Sequence, residues 1–449
     1  MSMQRLFITL ILILFIISPS FAYDLVLPKE KSSTVSTNYA FFVGRAKNWE
    51  NITINDEHIT TASNGAFAHT VKLKDGENRI AVKSAFNTKI YKVYKIRAEE
   101  QYSPKLVEYD SKFMKVLKDN TPMRSTPVDY GMNRMSHLFK DTSLIINGEK
   151  GDFYRVLLSK NKYGWIAKDA VEEASGTKTV PKFITMNSKT YKNASTNIIE
   201  FSEKLPYSIE ETDKEIIFKI YNPQASNDSV YTLNIKKFDK YTYKLTSSNG
   251  VYVLKVNKLP VPDNPNLEGI NIVVDAGHGG SEFGAIGCLG DKEKDINLAI
   301  ALELKDLLTQ MGACVVMTRE CDGTVSLEDR VDIAKESCAN IFVSIHLNSI
   351  PDVPMNIHKS RGTSVYYYNR NSKELAKAVE ESLTSTLNTR KDGVKTASFA
   401  VIRPTDYVGI LVETAYMTNP YDSVLYTDKS FPRDAARGIA DGILQYVNQ

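Results

Sequence analysis

The chain has 449 residues, enough for about three domains. Its 42% hydrophobic and 24% charged content excludes a disordered or fibrous chain, and a formal charge of +3 excludes a nucleic-acid binder working by bulk charge. The charge is uneven, about −6 over residues 271–449 and about +9 over residues 1–270, so a basic front is joined to an acidic back.

Met1 to Ala22 reads as a secretory signal. Arg5 gives a positive start, Leu6 to Ile17 is an unbroken apolar run, and Pro19 and Ser20-Phe21-Ala22 supply the break and small residues that cleavage needs. The run is short of the ~20 residues that span a bilayer, and no later stretch approaches that length. The mature protein is therefore expected to be exported, to the periplasm, envelope or medium, with no transmembrane segment. Export permits disulfides among Cys288, Cys314, Cys321 and Cys338; three pairings are open, and free buried thiols fit equally well.

The 24 tyrosines favour strand-rich modules, and three small all-β modules are expected next. In residues 24–98, Asn51–Asn55, Ala66–Val71 and Asn78–Val82 alternate between faces, with turns at Asn64-Gly65 and Asp75-Gly76. The pattern resembles a bacterial immunoglobulin-like β-sandwich. In residues 105–173, Thr121–Ser125, Phe153–Leu157 and Tyr163–Ile166 resemble a bacterial Src-homology-3-like barrel, with Trp165 expected at its core or rim. Glu172–Thr179 reads as a linker. Residues 180–260 carry strands at Ile198–Phe201, Glu215–Ile220, Tyr231–Ile235 and Val251–Leu254, and resemble the β module that precedes many cell-wall amidases. The proline-rich stretch Leu259–Asn266 reads as a stiff linker.

From Gly269 to the end the pattern becomes α/β. Apolar strands are expected at Ile270–Val274, Cys314–Met317, Asn340–Ile345, Val365–Tyr368 and Gly409–Val412. Helices are expected at Lys294–Met311, about Lys373–Leu387 and Ser430–Val447. This alternation predicts a mostly parallel sheet flanked by helices.

Three segments put His or Glu at or near strand ends, where open α/β sheets build their sites: Asp275-Ala-Gly-His278-Gly-Gly280, Ser344-Ile-His346-Leu-Asn348 and Leu411-Val-Glu413. Glu293 opens the first long helix between them. Two imidazoles and a carboxylate make a zinc set with an open fourth position. His278, Glu293 and His346 fit the ligand roles, and Glu413 fits the base that takes a proton from water. The ligand gaps match no compact motif such as H-E-x-x-H. Cys288 is a weaker alternative ligand, and the glycine run after His278 lacks the register and lysine of a phosphate loop. His58, His69, His137 and His358 are expected to be structural or surface residues.

The segments D-A-G-H-G-G (275–280), G-A-I-G (284–287), E-K-D-I-N-L (293–298), T-R (318–319), S-L-E-D-R (326–330), S-I-H-L-N (344–348), F-A-V-I-R (399–403) and L-V-E-T-A-Y-M-T-N-P (411–420) occur in an order that resembles zinc-dependent N-acetylmuramoyl-L-alanine amidases. The resemblance covers residues 269–449. It implies zinc on His278, Glu293 and His346, catalysis by Glu413, and Asn348 and Arg403 as residues supporting the centre or touching substrate. Glu282, Val408 and Ala415-Tyr416 depart from the family pattern, which bears on loop shape and substrate fit and leaves the ligands in place. The expected activity is hydrolysis of the muramoyl–alanine amide of peptidoglycan and muropeptides. The basic front half would meet anionic wall polymers, and no nucleic acid is expected as a partner. Two rival readings are a non-catalytic wall-binding or regulatory protein that keeps the fold, and a zinc peptidase or deacetylase acting on related wall material.

Overall fold

A computed structural model describes residues 23–47, 51–85, 87–96, 104–174, 180–225, 229–349 and 360–449. The expected signal, residues 1–22, lies outside them, as do residues 175–179 of the first expected linker and His358. The chain divides into two compact units, essentially residues 1–97 and residues 98–449. No helix among the described residues is long and apolar enough to cross a membrane.

In the first unit, a three-stranded sheet (Tyr23–Leu27, Tyr39–Ala46, Ala66–Lys72) and a five-stranded sheet enclose Phe42, Phe67, Ile52, Ile54 and Val82, each fully buried. Alternation along each strand sends these side chains inward. Gly65 and Gly76 have φ of +84° and +88°, the left-handed conformation that the two expected turns require.

Residues 107–173 form a seven-stranded sheet. Trp165 is half-buried on Lys162–Ala167, a rim position, and its backbone pairs with Arg124. The expected linker is corrected at its start: Val171–Glu173 is a strand pairing with Val107–Val116. Glu172 and Glu173 are exposed there, because an edge strand needs only its backbone to pair. Residues 183–258 form a four-stranded and a three-stranded sheet.

The second and third β modules share one core. Met114, Leu138, Leu144, Val156 and Ile166 of the second cluster with Phe201, Tyr207, Phe218, Tyr252 and Leu254 of the third. Polar contacts reinforce the seam: Ser143 N donates to Lys204 O at 2.9 Å, and Lys115 pairs with Glu203 at 3.1 Å. The third module also docks on the α/β region, where Tyr243 N donates to Thr405 O at 2.8 Å and Lys240 Nζ to Val447 O at 3.0 Å. The second linker is fixed at both ends, since Leu259 and Leu267 are buried in the α/β core.

That α/β region consists of β1 (Asn271–Ala276), α1 (Glu293–Gln310), β2 (Cys314–Met317), α2 (Leu327–Glu336), β3 (Ile341–Asn348), β4 (Thr363–Tyr367), α3 (Lys373–Leu387), β5 (Lys391–Thr396), β6 (Val408–Tyr416), α4 (Pro420–Tyr426) and α5 (Phe431–Asn448). The sheet order is β2-β1-β3-β6-β4-β5. All neighbours are parallel except β4, which runs antiparallel to β6. One face packs on α1, α3 and α5 through residues such as Val274, Val343, Val412, Leu304, Val379 and Ile439. The other carries Val273, Phe342 and Leu411 under Ala334 of α2 and Val401, Ile402 and Tyr407. No disulfide joins the cysteines: Cys314, Cys321 and Cys338 are exposed, and Cys288 is buried.

Candidate metal centre

His278, Glu293 and His346 converge at the carboxyl-end side of β1 and β3, with His346 inside β3 and His278 just past β1. One donor atom from each lies within 4.8 Å of the other two. Glu293 Oε1 is 3.2 Å from His278 Nε2 and 2.9 Å from His346 Nδ1. Tetrahedral zinc with bonds of ~2.0–2.2 Å has ligand atoms about 3.3–3.6 Å apart. Two imidazoles and a carboxylate gathered within 4.8 Å are a donor set that can hold a zinc ion. Cys288 is not in the group.

Glu293 and the turn that carries His278 are held from behind. Glu293 is the first residue of α1, and its Oε2 accepts from Ala285 N at 2.8 Å. Its Oε1 accepts from Leu347 N at 3.2 Å and from Asn297 Nδ2 at 3.3 Å. Burial alone would push this carboxyl up, but hydrogen bonds and charge from both imidazoles outweigh burial and hold it well below the carboxylate range. Burial would lower His346, and Glu293 reverses that, so its imidazole is held above the ordinary range.

His278 takes a left-handed φ of +60°, uncommon for a residue with a side chain. Two buried guanidiniums fix the turn that carries it. Arg330 donates to Ala276 O at 2.9 Å and His278 O at 2.8 Å, and pairs with the Asp275 carboxylate. Arg319 donates to Ala276 O at 2.9 Å and Gly277 O at 3.0 Å. Asp275 is only 1% exposed and also accepts from Ser344 Oγ at 2.6 Å and Thr318 Oγ1 at 2.7 Å. Its charge is thus fully answered, as burial demands. Gly277 and Gly284 let the ligands approach. A Cβ on Gly277 would lie 2.3 Å from His346 Nε2, and one on Gly284 would lie 2.4 Å from Glu293 Oε2. The amides after His278 are not an anion cradle: Gly280 N donates to Asp322 Oδ1 at 2.7 Å.

Glu413 sits on β6 directly opposite His346 of β3. Burial raises its pKa to about 7, with Glu293 adding to the rise and His346 opposing it. Its Oε2 is buried with no hydrogen-bond partner among the described residues. A carboxyl in that state is poised to exchange a proton near neutral pH.

Asn348 lies two residues past His346 on β3, opposite Tyr416 of β6. Arg403 follows the short turn Ala400–Ile402, where its carbonyl accepts from Asn369 Nδ2 at 2.9 Å. Asp275, Gly277, Gly284, Asn297, Arg319 and Arg330 carry positioning roles that the sequence did not assign. The available signal was the density of ionisable and glycine positions within its quoted motifs.

The sequence profile of the N-acetylmuramoyl-L-alanine amidases matches residues 272–445. The chain is 37% identical over 187 residues to the uncharacterized protein YqiI of Bacillus subtilis, covering 41% of this chain and 87% of that one. It is 38% identical over 187 residues to the N-acetylmuramoyl-L-alanine amidase LytC of the same organism, covering 41% of this chain and 36% of LytC. It is 30% identical over 201 residues to the germination-specific N-acetylmuramoyl-L-alanine amidase of B. subtilis, covering 41% of this chain and 82% of that enzyme. With the donors and the buried carboxyl in place, this chain belongs to the N-acetylmuramoyl-L-alanine amidase family.

Proposed function

We infer that this chain hydrolyses the amide between N-acetylmuramic acid and L-alanine in peptidoglycan, with zinc on His278, Glu293 and His346 and with Glu413 as the base. The supporting observation is the pairing of a three-donor cluster with a buried, unpartnered carboxyl on the adjacent strand. Bound zinc supplies a Lewis acid that polarises a carbonyl and acidifies water. Glu293 and the two imidazoles hold that position. Glu413 takes the proton from the attacking water at its free oxygen and passes it to the departing amine, since an amine leaves only once protonated. The burial of its carboxyl keeps the proton affinity of Glu413 in the useful range. Action outside the cytoplasm, and attraction of the basic front half to anionic wall polymers, belong to the same reading and are supported by the signal-like start and the charge split.

Glu413→Gln tests the assignment. The amide preserves shape, so zinc content and folding should match wild type, while the rate falls by ~10²–10⁴-fold, the range of general acid–base contributions. Release of peptide from muropeptides, identified by mass spectrometry, is the readout. Near-normal turnover in the variant would move the base elsewhere, and a zinc-loaded wild type that releases no peptide would remove the enzyme reading.

A further inference from the structure

The three donors of the metal centre are not equally covered. His278 has 30% of its side chain exposed, against 18% for His346 and 5% for Glu293, so the centre opens to solvent on the His278 side. Gly284 lines that side, since a Cβ there would lie 2.6 Å from His278 Cδ2 and 2.4 Å from Glu293 Oε2. The residue before it, Phe283, is 42% exposed. The hydrolysis described above makes no use of this ring.

Two lysines flank it. Lys292 Nζ lies 4.5 Å and Lys294 Nζ 5.0 Å from the ring centroid, both within the reach of cation–π attraction. Their charges are answered differently. Lys294 is buried, pairs with Asp322 at 2.5 Å and donates to Gly280 O at 2.9 Å. Lys292 is half-buried, and among the described residues its ammonium has the Phe283 ring as its contact and no carboxylate partner. The backbone beneath is fixed. Phe283 O accepts from Lys294 N at 3.2 Å, Ala285 O accepts from Glu293 N at 3.0 Å, and Lys292 pairs with Ile286 in an antiparallel bridge. Phe283 and Lys292 therefore stay beside Gly284 and Glu293, each about 3.8 Å along the chain from a residue of the centre.

An ammonium without a carboxylate, seated on an aromatic ring at the open side of the centre, has the chemistry of a carboxylate receptor. The ring restrains the cation, and an incoming carboxylate accepts charge-assisted hydrogen bonds from it. In peptidoglycan the residue after L-alanine is a glutamate joined through its γ-carboxyl, which leaves an α-carboxylate. That group lies about two extended residues, roughly 7 Å, beyond the scissile amide, and so falls among the residues that border the centre. We propose that Lys292, held on Phe283, binds the α-carboxylate of the second stem residue, so that the enzyme favours stems with this carboxylate free over stems with it amidated. The proposal rests on the amidase reading above. It concerns which stems are cleaved and leaves the cleavage chemistry as described.

The test is steady-state hydrolysis, by the whole chain loaded with zinc, of two N-acetylmuramoyl-tripeptides that differ only at the second residue, one with a free α-carboxylate and one with an α-carboxamide. Wild type should show a KM about tenfold lower for the acid, the low end for a hydrogen bond to a charged group because Lys292 is only half-buried, with similar kcat for both. In Lys292→Gln the ratio of the two KM values should fall to about one, and Lys292→Arg should restore part of it. Phe283→Leu, which keeps apolar bulk without the ring, should also lower the ratio. In wild type, added salt should raise KM for the acid more than for the amide, because screening weakens only the charged contact. This arm does not depend on how the variants fold. Equal KM values for acid and amide in wild type, or a Lys292→Gln variant that keeps the wild-type ratio, would overturn the proposal alone. Failure of wild type to cleave either substrate would overturn the amidase reading and this proposal with it.

Discussion

Arg330→Met removes the guanidinium that holds the turn bearing His278. Arg330 is 4% exposed, and its partner Asp275 is 1% exposed. The substitution keeps apolar bulk but strands the Asp275 carboxylate, leaving it the hydroxyls of Ser344 and Thr318. It also strands the carbonyls of His278 and Val325, while Ala276 O keeps its bond from Arg319. Breaking one side of a buried pair costs ~3–5 kcal/mol, a large share of a typical domain's ~5–15 kcal/mol. Asp275→Asn/Arg330→Met removes both charges and should recover at least ~1 kcal/mol relative to the sum of the single changes. Urea unfolding of the three variants measures this. The same proteins should bind zinc ~10–100-fold more weakly, the range seen when groups behind a metal ligand are lost. A loss below ~1 kcal/mol in Arg330→Met, or strict additivity in the cycle, would refute the claim that this ion pair supports the centre.

The remaining predictions concern the β modules and the close approach at Gly284. His137 is held down to about 4, first by burial and then by Arg134 and Arg124. A folded-state value below the unfolded ~6.5 stabilises the protein fully above pH 6.5, and this contribution is lost as pH falls toward 4. At pH 5 the loss is about 2 kcal/mol, so urea midpoints at pH 7 and 5 should differ less in His137→Gln than in wild type; an unchanged difference would remove His137 as the cause. Gly284→Ala places a Cβ 2.4 Å from Glu293 Oε2 at a φ of +68°, so zinc retained after dialysis should fall, and full retention would show that the loop yields freely.

The cluster of His278 and His346 was legible in the sequence because strand-end positions in an α/β sheet are predictable from apolar runs. Glu413 was expected to close its strand, but β6 runs on to Tyr416 and places it inside the ladder. Glu293 was legible as the opening of a helix, which begins at that residue and not at Lys294. The supports were not legible. Asp275 meets Arg330 across 55 positions of sequence, and only the register of β1 beside β3 brings Ser344 to the same carboxylate. The glycine requirements at 277 and 284 depend on where imidazole and carboxylate atoms fall, which periodicity does not encode. The antiparallel β4 was read as a strand, but an apolar run does not reveal which way its strand points in the sheet. The joint core of the second and third β modules was hidden because alternating strands reveal which face is apolar and not what that face meets.

That joint core sets how this chain can be rearranged by recombination. A crossover between residues 175 and 179 would look harmless on the page, since it falls between two strand-rich segments. It would part Leu138, Leu144 and Val156 from Phe201, Tyr207 and Tyr252, leaving two apolar faces in water. The smallest heritable cassette is therefore the pair spanning residues 107–258, and a descendant that carries either module should carry both.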